Sequence, residues 1–155
     1  MNLSANFTLE ALVFSETAVR RGLANDPNDE QIANLTELAQ TLERVVLLFG
    51  FPLHIHSAFR SAKVNAAIGG SSHSAHMDGY AADFTCEQFG SPLAVCQAIA
   101  SSGIPYDQLI QEGGIHGWTH ISVAPALRKE LLTAHFEGGK VTYTAGLGES
   151  TLRVT

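Results

Sequence analysis

A chain of 155 residues, 45% hydrophobic and 15% charged, is the length and composition of one compact domain with a single core spanning residues 1–155. Its net charge of −6, with nine Lys and Arg scattered apart from Arg20-Arg21, argues against a nucleic-acid partner, which needs clustered cations to release counterions. No apolar run approaches the roughly 20 residues that cross a bilayer, and MNLSANFTLEALVF lacks the basic start and apolar block of a secretory signal, so no membrane association and cytoplasmic synthesis are expected.

Along the chain, Thr8 can cap a short helix over Leu9 to Val13, and a second helical piece is expected near Ser15 to Arg21. Ile32, Leu35, Leu38, Leu42, Val45 and Phe49 then recur at steps of three and four, one apolar stripe on a long helix that Gly50 and Pro52 end. Leu53 to His56 alternates as a short strand with Leu53 and Ile55 inward, and Ser61 to Ile68 reads as a small helix stopping at Gly69-Gly70. SSHSAHMDG has loop composition and YAADF reads as a strand. Ser91-Pro92 opens a helix through Ser101, with proline in its first turn. Asp107 to Glu112 and Trp118 to Val123 are expected to form a hairpin around the turn GGIHG. A helical stretch near Ala126 to His135, a GG turn and the strand VTYT complete the reading. Strands in adjacent hairpins with helices gathered elsewhere predict an α+β fold, a small antiparallel sheet flanked by helices. Cys86 and Cys96 lack the CxxC spacing of a zinc knuckle; two semi-buried thiols are expected, with a single disulfide as the alternative.

Three segments carry candidate chemistry: SAHMDGYAAD with His76 and Asp83, GWTHIS with His120, and SAFRS with Arg60. Imidazole nitrogen and carboxylate oxygen are natural zinc ligands, and three protein ligands leave a fourth position for water. Strand alternation puts Asp83 with small Ala81 on one face, and His120 with Trp118 and Ser122 on one face, Thr119, Ile121 and Val123 lying opposite. Singly, each residue has a plainer reading: a strand His is usually a hydrogen-bonded core residue, an Asp after a turn a solvated carboxylate, Arg60 a surface ion pair. His54 and His56 share a strand face without a natural third ligand. His73 reads as a solvated loop residue, Asp78 as a turn residue and His135 as helix surface.

As a set, S-x-H-x-x-G-x-A-x-D followed by W-x-H resembles the peptidase M15 family of zinc D-Ala-D-Ala carboxypeptidases and phage endolysins, in particular its small single-domain members. Ser74, His76, Gly79, Ala81 and Asp83 fill the first motif, and Trp118 and His120 the second. LSANFTLEAL, IANLTEL, SAFRSAKVNAAIGG, PYDQLI and GGKVTY are similar to that family in the same order, so the resemblance runs from about Leu3 to Leu147. It implies a hedgehog/DD-peptidase-like fold, one zinc ion on His76, Asp83 and His120, substrate contact by Arg60, and a peptidoglycan stem peptide as substrate, cut at a terminal D-Ala-D-Ala or an internal bond. It also implies a monomer that acts on the cell wall and is released by lysis or carried in a virion.

Where many relatives place an acid three residues before the last zinc histidine, this chain has Gly117. The resemblance then implies Glu112, at the end of the preceding strand, as the base, although the length of the GGIHG turn leaves the hairpin register open. His116 is the rival or helper, stabilising an oxyanion or shuttling a proton. Ser74 either hydrogen-bonds near the site or shapes its loop. The competing class is a zinc-containing wall-binding or virion structural domain of the same fold without catalysis.

Overall fold

The computed structural model describes residues 1–148. Helices α1 (Leu9–Val13), α2 (Glu16–Arg21) and α3 (Asp29–Phe49) come first. They are followed by β1 (His54–Ser57), α4 (Ala62–Ala67), β2 (Ala81–Thr85), α5 (Pro92–Ser101), β3 (Gln108–Glu112), β4 (Trp118–Ser122), β5 (Glu130–Glu137) and β6 (Lys140–Ala145).

The apolar stripe of α3 becomes the centre of the core. Asn28 and Gln31 form a reciprocal capping box at its start, and Gly50, at φ 73°, takes the left-handed conformation that ends it. Leu35, Leu38, Leu42, Val45 and Phe49 are buried against Phe84, Leu109 and Ile121 from the sheet. Each fully buried leucine of this stripe contributes roughly 1.5–3 kcal/mol. Both cysteines are buried and free, which settles the alternative left by their number. Burial pushes the Cys96 thiol up to about 12, so it is an inert packing group.

One six-stranded sheet, ordered β1-β2-β4-β3-β5-β6, backs the core. Its pairs are antiparallel except β3 with β5, which run parallel. The helix expected over Ala126 to His135 is absent: the chain turns over 124–129 and enters β5, with Leu131 and Thr133 beside Leu109 and Gln111 of β3. Local helix formers such as Leu132 and Ala134 are overridden there by pairing on two sides, β3 and β6. His135 accordingly lies on a strand, its Nε2 2.8 Å from Thr144 Oγ1, and not on a helix surface. The turn holds the two non-glycine residues with positive φ among those described, Leu127 at 43° and Lys129 at 55°, a conformation that costs about 1–3 kcal/mol each.

Candidate metal centre and its cleft

Strand register assembles the site. Asp83 of β2 lies opposite His120 of β4, which lies opposite Ile110 of β3, and Trp118 lies opposite Glu112. Cross-strand partners project from the same face, so Asp83, His120, Trp118 and Glu112 share the face turned away from the helical core. The loop before β2 adds His76. Residues Ala75–Asp78 form a single 3-10 turn whose start is capped by Ser74, its Oγ accepting the His76 N–H at 3.3 Å. Gly79 closes that turn at φ 82°, and a Cβ there would stand 2.7 Å from the Gln31 carbonyl oxygen, so both conformation and space demand glycine.

His76 Nε2 is 3.3 Å and His120 Nδ1 2.9 Å from the same oxygen, Asp83 Oδ1. The other carboxylate oxygen, Oδ2, accepts from Arg60 Nη2 at 3.1 Å. Arg60 is held in turn by Ser57 Oγ, 3.0 Å from Nε, and by Asn65 Oδ1, 3.5 Å from Nη1. Arg60 thus fixes one oxygen of Asp83 and leaves the other facing the two imidazoles. His76 Nδ1 lies 2.7 Å from the Ala58 carbonyl. A carbonyl can only accept, so Nδ1 carries the proton and Nε2 presents a lone pair toward Asp83 and His120.

Electrostatics keep His76 and Asp83 in the forms a cation needs. Burial, outweighing the nearby Asp83 charge, holds His76 below its usual value and therefore neutral. Burial alone would raise Asp83, but the imidazoles of His76 and His120 beside it hold it far below the usual carboxylate range. For His120 burial acts downward, and the hydrogen bond and charge of Asp83 together with Glu112 push it up on balance. The ligand atoms of His76, Asp83 and His120 all lie within 4.8 Å of one another, a possible site for one metal ion. Two imidazoles, one of fixed tautomer, and a buried carboxylate are a donor set suited to zinc.

A family model described as Peptidase M15 matches residues 5–122. The chain belongs to the peptidase M15 family. No curated protein matches it. The match spans every element from α1 to β4 and stops before β5 and β6.

In this M15 member, the hairpin register places Glu112 on the cleft side. Trp118 Nε1 donates to Glu112 Oε2 at 2.9 Å, so the tryptophan of the second motif holds the carboxylate that lies opposite it. Burial and then the neighbouring Asp83 charge push the Glu112 carboxyl up. Gly117 cannot carry an acid: a Cβ built on it would fall inside the Glu112 carbonyl group, so the backbone of Glu112 occupies that space.

A cleft of about 880 Å³ opens over the centre, and His76, Asp83, His120, Glu112, Arg60, Ser74 and His73 all line it. His116 is not among the residues lining it: it sits on the 3-10 turn Gly114–His116 and lines a separate cavity with Cys86, Pro92 and Ile115. His54 and His56 stack on each other 4.4 Å apart beside a third cavity. Sequence reasoning missed Asn65, which holds both Arg60 and the Ser71 carbonyl, and Tyr143, which lines the cleft from β6. Nothing in the local sequence marks either, because their roles come from contacts made across the fold.

Proposed function

We propose that this chain is a zinc peptidase that hydrolyses amide bonds in peptidoglycan stem peptides, as a D-Ala-D-Ala carboxypeptidase or an endopeptidase. The observation that carries the reading is the convergence of His76 Nε2, Asp83 Oδ1 and His120 Nδ1, with Glu112 on the same sheet face. His76, Asp83 and His120 hold the ion, which when bound supplies Lewis-acid activation of water and of the scissile carbonyl.

The chain's own groups do the rest. Glu112, held by the Trp118 indole, takes the proton of the attacking water and returns it to the departing amine. Its raised carboxyl makes the carboxylate a stronger base for the first half of that cycle. Arg60 orients Asp83, and its guanidinium anchors a carboxylate or polarised carbonyl of the peptide. Ser74 shapes the loop that presents His76, and its place in the cleft wall makes it a peptide contact. No step is assigned to His116. The murein substrate fits a lysis protein, or a virion component, encoded by a phage or prophage. No helix among the described residues is long and apolar enough to cross a membrane.

Incubation of the zinc-loaded protein with murein, followed by mass spectrometry of the soluble products, tests the reading. Muropeptides shortened at one bond, with release stopped by a chelator and restored by zinc, are expected. Intact murein after incubation with a protein that retains its metal would instead support a wall-binding or virion structural domain.

A further inference from the structure

The cleft extends past the matched segment onto Ala124, Pro125, Arg128, Leu132 and Tyr143. Arg128 is the residue there whose placement asks for a function. Its Nε donates to Asp107 Oδ1 at 2.9 Å, its Nη2 to Oδ2 at 2.9 Å, and its backbone N–H to Oδ1 at 3.1 Å. The Arg128 side chain nonetheless keeps 53% of its surface open, whereas that of Asp107 keeps 6%. The Nη1 donors of Arg128 make no hydrogen bond among the described residues. A guanidinium seated on a buried carboxylate, with its far edge free in a cleft, is pre-organised to meet a second carboxylate.

Anchoring the turn does not account for this arrangement. Backbone bonds already hold it: Leu127 N–H to the Ala124 carbonyl at 3.0 Å, Lys129 N–H to Tyr106 at 3.1 Å, and Glu130 N–H to Asp107 at 2.9 Å. Arg128 lies between Leu127 and Lys129, the two non-glycine residues with positive φ among those described. The strain of that conformation persists where the surroundings impose a particular side-chain placement.

Charge narrows the ligand. The cleft lining carries Asp78, Asp83, Asp107 and Glu112, and among the described residues its only Lys or Arg side chains are Arg60 and Arg128. Arg60, tied to Asp83, Ser57 and Asn65 and 14% exposed, can reach only a group beside the metal donors. An anionic group of a bound peptide away from the reacting bond therefore has one open guanidinium to meet.

We propose that Arg128 forms a second carboxylate subsite of the cleft, holding a carboxylate of the bound peptide distinct from the group that Arg60 contacts. The proposal rests on the reading of the cleft as peptide-binding. It makes this chain select peptides with a free carboxylate outside the scissile bond over those in which that group is amidated.

Calorimetric titration tests it with a set of stem-type peptides, each with one non-terminal carboxylate converted to a carboxamide. The titrations use zinc-loaded Glu112→Gln protein, which keeps the metal donors and lacks the base. Amidation at one position is expected to weaken binding about tenfold, the loss of a charge-assisted hydrogen bond. In a protein that also carries Arg128→Gln, free and amidated forms should bind alike. Loss of a purely structural clamp would weaken all peptides equally and leave the ratio unchanged; that result, or no binding of any peptide, overturns the proposal. Should Arg128→Gln fail to fold, Arg128→Lys keeps a charge without the fork and must lower the ratio; a ratio equal to that of the parent overturns the proposal. Selective binding without hydrolysis by the otherwise native protein would reject the peptidase reading alone, whereas hydrolysis with an unaltered ratio would reject the subsite alone.

Discussion

Asp83 receives three side chains at once, and the division of its two oxygens explains the site. Oδ2 is engaged by Arg60 at 3.1 Å, while Oδ1 faces His120 at 2.9 Å and His76 at 3.3 Å. Asp83→Asn keeps the shape and removes the charge, so competition with a chromophoric chelator should show zinc affinity lower by about a hundredfold or more. Glu112→Gln should leave zinc affinity unchanged while kcat falls about 10²–10⁴-fold in a peptide-release assay. Glu112 also gives a pH effect with a definite sign. Its folded carboxyl is raised above the ordinary 4.5, burial being the main cause, so it holds its proton to higher pH than the unfolded chain does. The stability it contributes is full below 4.5 and is lost as pH rises through the folded value. In chelator-treated protein, Glu112→Gln should therefore gain in unfolding midpoint over the parent as pH is raised from about 4 to about 7, and a gain that shrinks would contradict the assignment.

At the scale of elements, the β3–β4 hairpin decides where the acid can be. Gly117 lies so close to the Glu112 carbonyl that no side chain fits, and the register that results turns Glu112 toward the cleft beside Trp118. Gly117→Asp, which places an acid three residues before His120, should destabilise the fold by about 3 kcal/mol or more in urea unfolding and yield no activity in a Glu112→Gln background. This hairpin was only half legible in the sequence. Its two strands follow from alternation, but its register depends on a turn containing Gly113, Gly114 and Gly117, whose conformations a residue pattern does not specify. The long helix α3 was legible because its stripe, its cap residues and Gly50 all agree. β5 was misread for the converse reason: its helix-forming residues lose to hydrogen bonding with β3 and β6, partners distant in sequence.

Over the whole molecule, the sheet separates two tasks. One face packs on α3 and α5 through Phe84, Leu109 and Ile121, and the other carries the donors and the cleft. Leu42→Ala, deep in the first face, should cost about 2–5 kcal/mol by the cavity it leaves, with zinc stoichiometry unchanged in the protein that remains folded. The three candidate donors stand out in the sequence as two short motifs, which the fold sets on the turn before β2 (His76) and at the middle of β2 (Asp83) and β4 (His120). Their supports do not stand out, since the Ala58 carbonyl behind His76, Asn65 behind Arg60 and Asp107 behind Arg128 meet their partners only after folding. Peptidase activity in this fold requires one ion held by three side chains. Metal analysis of the purified chain beside His76→Ala, Asp83→Ala and His120→Ala, with X-ray absorption at the zinc edge, tests it most directly. We predict one zinc per chain in a nitrogen and oxygen shell at about 2.0–2.2 Å, lost in each variant. Zinc retained in full by all three variants, or no zinc in the native chain under zinc-replete conditions, would contradict it.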